Sequence, residues 1–97
     1  MTINVERDYE LVTLEITGRL DTTTAPNLEA VINDLSEDTK ELVFNMAELE
    51  YISSAGIRVF LSAYKKINQS GGIMRIEKVN DLVYEIFEMT GLSEMLE

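Results

Sequence analysis

The chain has 97 residues, with 8 basic and 18 acidic side chains, a formal charge of −10 and a hydrophobic fraction of 45%; this is the composition of one globular domain with a modest core, not of a disordered segment. The excess of acid opposes direct contact with nucleic-acid phosphates and with anionic membrane surfaces. With neither cysteine nor histidine, disulfides, thiolate metal sites, the commonest zinc ligand and the usual general base are excluded.

The N-terminal run Met1-Thr2-Ile3-Asn4-Val5-Glu6 has no basic region or apolar core of a signal peptide. No apolar run approaches the ~20 residues needed to span a bilayer, so membrane insertion is not expected and the chain is placed in the cytoplasm. Ile3 and Val5 alternate with polar residues, Asp8-Tyr9-Glu10 interrupts, and Val12, Leu14 and Ile16 alternate again, which predicts a β-hairpin with one buried face. Gly18-Arg19-Leu20-Asp21 ends the second strand, three threonines follow, and Ala25, Leu28, Ile32 and Leu35 recur at helical spacing with Pro26 in the first turn. Thr22, Thr23 and Thr24 read as helix-capping residues rather than phosphoacceptors. Leu42-Val43-Phe44-Asn45-Met46 is a short, nearly continuous apolar run, the pattern of a central strand covered on both faces.

A second helix follows the Ser53-Ser54 corner, with Ile57, Phe60, Leu61, Tyr64 and Ile67 as its apolar positions and Ser70-Gly71-Gly72 as its stop. Ile73, Met74 and Ile76 form another strand. Asn80 caps a third helix carrying Leu82, Val83, Ile86, Phe87 and Met89. Met46, Met74, Met89 and Met95 fall within apolar periodicities and read as core, whereas Glu85, Glu88 and Glu94 read as a solvated face. The order is β-β-α-β-α-β-α: an α/β fold with a mixed sheet of four to five strands and helices mainly on one face, in a single domain spanning 1–97.

The stretch Tyr51-Ile52-Ser53-Ser54-Ala55-Gly56-Ile57-Arg58 carries the chemistry. Two hydroxyls stand where strand and loop pass into a helix, whose free N–H groups and positive dipole end favour negative charge. Small side chains and Gly56 suggest close approach of another chain to the backbone. From the local pattern, a capping serine and a serine phospho-switch are both open readings. Asp21 lies in a loop on the same side of the sheet as Ser54, where it forms an Asx-turn into the first helix, meets a partner, or does both. Arg58 projects near the start of the second helix and suits acidic groups or phosphate, or plain solvation. Asp34 and Asp38 carry little weight as a metal or acid–base pair, and Gly71-Gly72 lacks the context of a phosphate-binding loop.

Gly18-Arg19-Leu20-Asp21, the apolar strand and the motif at residues 51–59 together resemble the STAS domain of bacterial anti-sigma factor antagonists over nearly the whole chain. The resemblance implies that Ser54, aligned on Gly56, is phosphorylated by an anti-sigma factor, a serine kinase of the GHKL type. It further implies that the bare form binds that factor and frees sigma, and that a metal-dependent serine phosphatase restores the bare form. The chain is then a substrate and not an enzyme, with no cofactor or metal of its own. Asp21, Ser53, Ala55, Gly56 and Arg58 are the expected partner-binding residues, and Ser53 is the alternative acceptor. Many relatives carry aspartate where this chain has Ser53, and most continue into a last strand that Met95-Leu96-Glu97 barely begins. The other implied role is a constitutive interaction subunit, like the small STAS subunit of a lipid-transporting ABC complex, which works without phosphorylation.

Overall fold

Alternation of apolar and polar residues joins the first two strands. In the computed structural model, which describes residues 1–91, β1 (Thr2–Asp8) and β2 (Leu11–Leu20) pair antiparallel from Thr2 opposite Thr17 to Asp8 opposite Leu11. The two-residue connection Tyr9-Glu10 turns with Tyr9 at a φ of 56°. After α1 (Ala25–Asn33), β3 (Glu41–Asn45) lies parallel to the first half of β2 and β5 (Ile73–Glu77) lies parallel to β3. Helices α2 (Ser54–Gln69) and α3 (Asp81–Thr90) complete the described chain.

One element was not expected: a strand β4 (Leu49–Ile52) pairs in parallel with the last residues of β2, so the order is β-β-α-β-β-α-β-α. The resulting sheet has five strands, with β2 serving three neighbours. Gly18 makes the change of partner possible. Its φ is 95° and the pairing register shifts between Gly18 and Arg19, a bulge at a conformation that a β-carbon would strain. Its N–H donates to the Glu48 carbonyl at 3.0 Å, just ahead of β4.

All three helices contribute to one core with the sheet. Leu14, Ile16, Leu42, Phe44 and Ile76 from the strands meet Leu28 and Ile32 of α1, Phe60 and Ile67 of α2, and Phe87 of α3, all fully or almost fully buried. Phe60 is the centre, edge-on to Phe44 at 4.7 Å and to Phe87 at 5.8 Å between ring centroids, geometries favoured by the ring quadrupoles. Val43, on the opposite face, is also buried although it lies outside this cluster; its sheet neighbours there are Thr13 and Arg75.

The structure corrects two side-chain expectations. Leu61 and Tyr64 do not face the core, being 43% and 41% exposed; α2 instead turns Gly56, Val59, Phe60, Ala63 and Ile67 inward. Small residues face inward because the helix lies close against the strands, and a helical period cannot say which shoulder of a wide apolar stripe is covered. Met89 is likewise not core but 86% exposed, and Leu82 of the same helix is exposed too. Asn80 caps α3 as expected, its Oδ1 accepting from Val83 N–H at 2.9 Å, and its Nδ2 also donates to the Leu49 carbonyl at 2.7 Å, tying α3 to β4. The expectations at Glu94 and Met95-Leu96-Glu97 lie outside the described residues.

Candidate functional site

β2 and β4 end side by side, Leu20 opposite Ile52, and the Ser53 N–H donates to the Leu20 carbonyl at 2.9 Å. Beyond that bond the chains part: Asp21 begins a turn into α1, and Ser53 begins α2. The parallel pairing therefore brings Asp21 and the two serines to one corner, at the C-terminal ends of both strands, the usual place for a site in α/β sheets.

The serines are not equivalent. Ser53 is extended (φ −98°, ψ 175°) and caps α2, its Oγ accepting from the Gly56 N–H at a long 3.4 Å while its carbonyl accepts from the Ile57 N–H at 3.0 Å. Ser54 is the first helical residue and is exposed, and its hydroxyl has no side-chain hydrogen bond among the described residues. Ala55 is half-buried against the core. Gly56 is buried, so the expectation that it leaves room for another chain is corrected. A β-carbon there would stand 2.7 Å from Leu20 Cγ and 3.0 Å from Ile52 Cγ1; the missing side chain seats the helix on the ends of β2 and β4.

Asp21 forms the Asx-turn. Its Oδ1 accepts from the Thr23 N–H at 3.0 Å, the Thr23 hydroxyl at 2.9 Å and the Thr24 N–H at 3.2 Å. The Thr23 hydroxyl foremost, aided by the backbone donors and opposed by partial burial, holds the Asp21 carboxyl below its ordinary pKa. The threonines do not cap α1 with their side chains: Thr24 occupies the cap position without a capping bond, and its Oγ1 accepts from the Asp21 N–H at 2.8 Å and donates to the Arg19 carbonyl at 2.9 Å. Aspartate and threonine thus each satisfy the other's backbone within the turn.

Two residues of the corner have no role of their own in the sequence pattern, Arg19 and Tyr51, and the structure brings them together. The Arg19 guanidinium lies 4.3 Å over the Tyr51 ring, and its Nε is 3.9 Å from Asp21 Oδ2. Arg19 and Tyr51 are cross-strand partners, a pairing visible only once β4 is known. Arg58 stands one turn beyond Ser54, exposed, and with Leu61, Ser62, Tyr64 and Lys65 lines a shallow groove along α2. No group of three or more acidic side chains arranged to hold a metal ion is found among the described residues, and no described helix is long and apolar enough to cross a membrane.

Residues 2–97 match the sequence pattern of the STAS domain. The anti-sigma-B factor antagonist of Staphylococcus aureus is 29% identical over 99 residues, covering 99% of this chain and 92% of that protein. The anti-sigma-B factor antagonist of Bacillus subtilis is 24% identical over 97 residues, covering 100% of this chain and 89% of that protein. Among solved structures, the phosphorylated form of the Bacillus cell fate determinant SpoIIAA superposes with a TM-score of 0.82 at 17% identity, covering 99% of this chain and 89% of that one, a likeness of fold.

Proposed function

The chain belongs to the STAS domain family, and from that premise we propose that it is an anti-sigma factor antagonist switched by phosphate on Ser54. The bare form binds an anti-sigma factor, a serine kinase of the GHKL type, and so releases a sigma factor. The kinase transfers the γ-phosphoryl group of ATP to Ser54 Oγ; the hydroxyl proton leaves, ADP departs, and binding is lost. A metal-dependent serine phosphatase hydrolyses the ester with water and restores the hydroxyl. The chain is a substrate of both reactions and catalyses neither.

One observation carries the choice of acceptor: the Ser54 hydroxyl is exposed and bonded to nothing among the described residues, whereas the neighbouring hydroxyl of Ser53 is engaged as the helix cap. Phosphorylating Ser53 would sacrifice the cap; phosphorylating Ser54 disturbs no bond of the fold. A phosphoserine adds about −1.5 to −2 charge at a helix end whose dipole favours it, so the domain tolerates the group. A partner surface fitted to a hydroxyl does not. Mismatched charge in an interface costs about 2–5 kcal/mol, which weakens binding by roughly 30- to 5000-fold with no change of fold.

The experiment is phosphate mapping by mass spectrometry after incubation with the cognate kinase and ATP. Label on Ser54 is the expected result, and label confined to Thr22, Thr23 or Thr24 refutes the assignment. Co-purification of a transporter ATPase instead of a kinase, with equal binding by Ser54→Asp, would show a constitutive subunit in its place.

A further inference from the structure

Helix α2 differs in charge from the rest of the molecule. Its 16 residues contain Arg58, Lys65 and Lys66 and no acid, in a chain of net charge −10, while α1 carries Glu29 and α3 carries Asp81, Glu85 and Glu88. Lys66 donates to the Asn33 carbonyl at 3.4 Å. Arg58 and Lys65 are exposed and make no side-chain bond among the described residues. Positions 54, 58, 61 and 65 follow i, i+4, i+7 and i+11, which places Ser54, Arg58, Leu61 and Lys65 on one stripe. Helical side chains lean toward the N-terminus, so Arg58 leans over the turn that Ser54 begins.

Building on the reading of Ser54 as phosphoacceptor, we propose that Arg58 is the positioning residue through which the switch acts. With a bare hydroxyl at Ser54, the Arg58 guanidinium is offered outward beside the apolar groove of Leu61 and Tyr64. That arrangement suits a partner surface with an apolar anchor flanked by carboxylates. With phosphate on Ser54, the guanidinium turns onto its own helix and takes the phosphate oxygens in a forked pair. An anion four residues N-terminal to a cation is the favourable order on a helix. Phosphorylation thus adds negative charge and at the same moment withdraws the cation that met the partner. The two free charges of the stripe, Arg58 and Lys65, are almost cancelled by the dianion.

Arg19 does not compete, because it is stacked on Tyr51 beside the Asp21 carboxylate. Among the elements that meet at this corner, the end of β2 carries Arg19 with Asp21 just after it, β4 carries Glu50 and Tyr51, α1 carries Glu29, and α2 carries Tyr64, Lys65 and Lys66 beyond Arg58. The acids among them raise the second ionisation of a phosphate at Ser54, and Arg58 lowers it.

The test installs phosphoserine at position 54 during synthesis, so it requires neither kinase nor partner. Phosphorus NMR then follows the pH midpoint of the phosphate in the otherwise unaltered protein, in Arg58→Gln and in Lys65→Gln. The expected midpoint is about 0.3 pH unit lower with Arg58 present than in Arg58→Gln, from the usual strength of such a pair, and Lys65→Gln matches the unaltered protein. Equal midpoints with and without Arg58, or an equal shift from Lys65→Gln, overturn the proposal. Thermal unfolding run alongside confirms that neither exposed substitution has disturbed α2. A kinase experiment that labels another residue removes Ser54 as acceptor without touching this titration, so the two failures are separable.

Discussion

Gly56 and Leu20 are in contact so close that no β-carbon fits between them: one built on Gly56 would lie 2.7 Å from Leu20 Cγ. This single approach fixes the first turn of α2 on the end of β2, and hence the position of Ser54 relative to Asp21. Gly56→Ala therefore sets two effects against each other. Alanine improves helix propensity by about 1 kcal/mol, but overpacking a filled site costs about 1–3 kcal/mol. The same β-carbon would stand 3.0 Å from Ile52 Cγ1, so the added methyl meets a second side chain that must also give way. The expected outcome is a net loss of stability in urea unfolding, and a more stable Gly56→Ala would show that the helix is free to lift.

Asp21 gives the corner a pH dependence. Its carboxyl is held below the ordinary value of 3.8, chiefly by the Thr23 hydroxyl. A depressed folded-state pKa means that the ionised form stabilises the fold. That contribution is complete above the unfolded pKa and disappears as pH falls through the folded one. Asp21→Asn is expected to be less stable than the parent at neutral pH, with the gap closing below 3.8. Unfolding midpoints of both proteins across pH 2–7, on the order of the carboxylate range, measure it. A gap that stays constant through the acid range would assign the turn to shape and not to charge.

Much of this corner is legible in the sequence alone. Asp21 announces an Asx-turn because aspartate followed by threonines has few other local solutions, and Ser53-Ser54 before an apolar-periodic run marks a helix start. The hairpin was equally plain, since period-two alternation has one reading. β4 was hidden because it spans only Leu49–Ile52 and has an exposed glutamate between its buried ends. Four residues are too few for alternation to stand out from a loop. Missing β4 also hid Arg19 on Tyr51, for cross-strand neighbours depend on register and not on spacing along the chain. The buried face of α2 was misjudged for another reason. Size suggested Leu61 and Tyr64, whereas close packing selected Gly56 and Ala63.

Ser53 and Ser54 should separate cleanly by mutation. Ser53→Ala removes the oxygen that caps α2 and leaves the Gly56 N–H without its acceptor. Loss of a serine cap costs about 0.5–2 kcal/mol, and a bond as long as 3.4 Å places this one toward the lower end. Ser54→Ala removes a hydroxyl with no partner among the described residues and should change stability by less than about 0.5 kcal/mol, while abolishing phosphate incorporation. Denaturant unfolding and phosphate mapping of the two variants give opposite orders of severity, and a Ser54→Ala that unfolds more readily than Ser53→Ala would contradict the assigned roles.

The neighbours Phe60 and Leu61 divide folding from binding within one turn of α2. Phe60 is fully buried and edge-on to both Phe44 and Phe87, so Phe60→Ala empties the centre of the core at a cost of about 3–5 kcal/mol. A domain of this size has only some 5–15 kcal/mol in total, and the variant is expected to be partly unfolded at physiological temperature. Leu61 is turned away from the core and lines the groove with Arg58 and Tyr64. Leu61→Asp should unfold within about 0.5 kcal/mol of the parent. Yet it places an acid in the middle of the basic stripe that the proposed binding mode turns toward acidic groups of the partner, and like-charge juxtaposition in an interface costs several kcal/mol. Affinity for the anti-sigma factor, measured by calorimetry, should therefore fall by at least about tenfold, the equivalent of 1.4 kcal/mol. Retention of full affinity by a folded Leu61→Asp would move the contact surface off α2 and back to the Asp21 side of the corner.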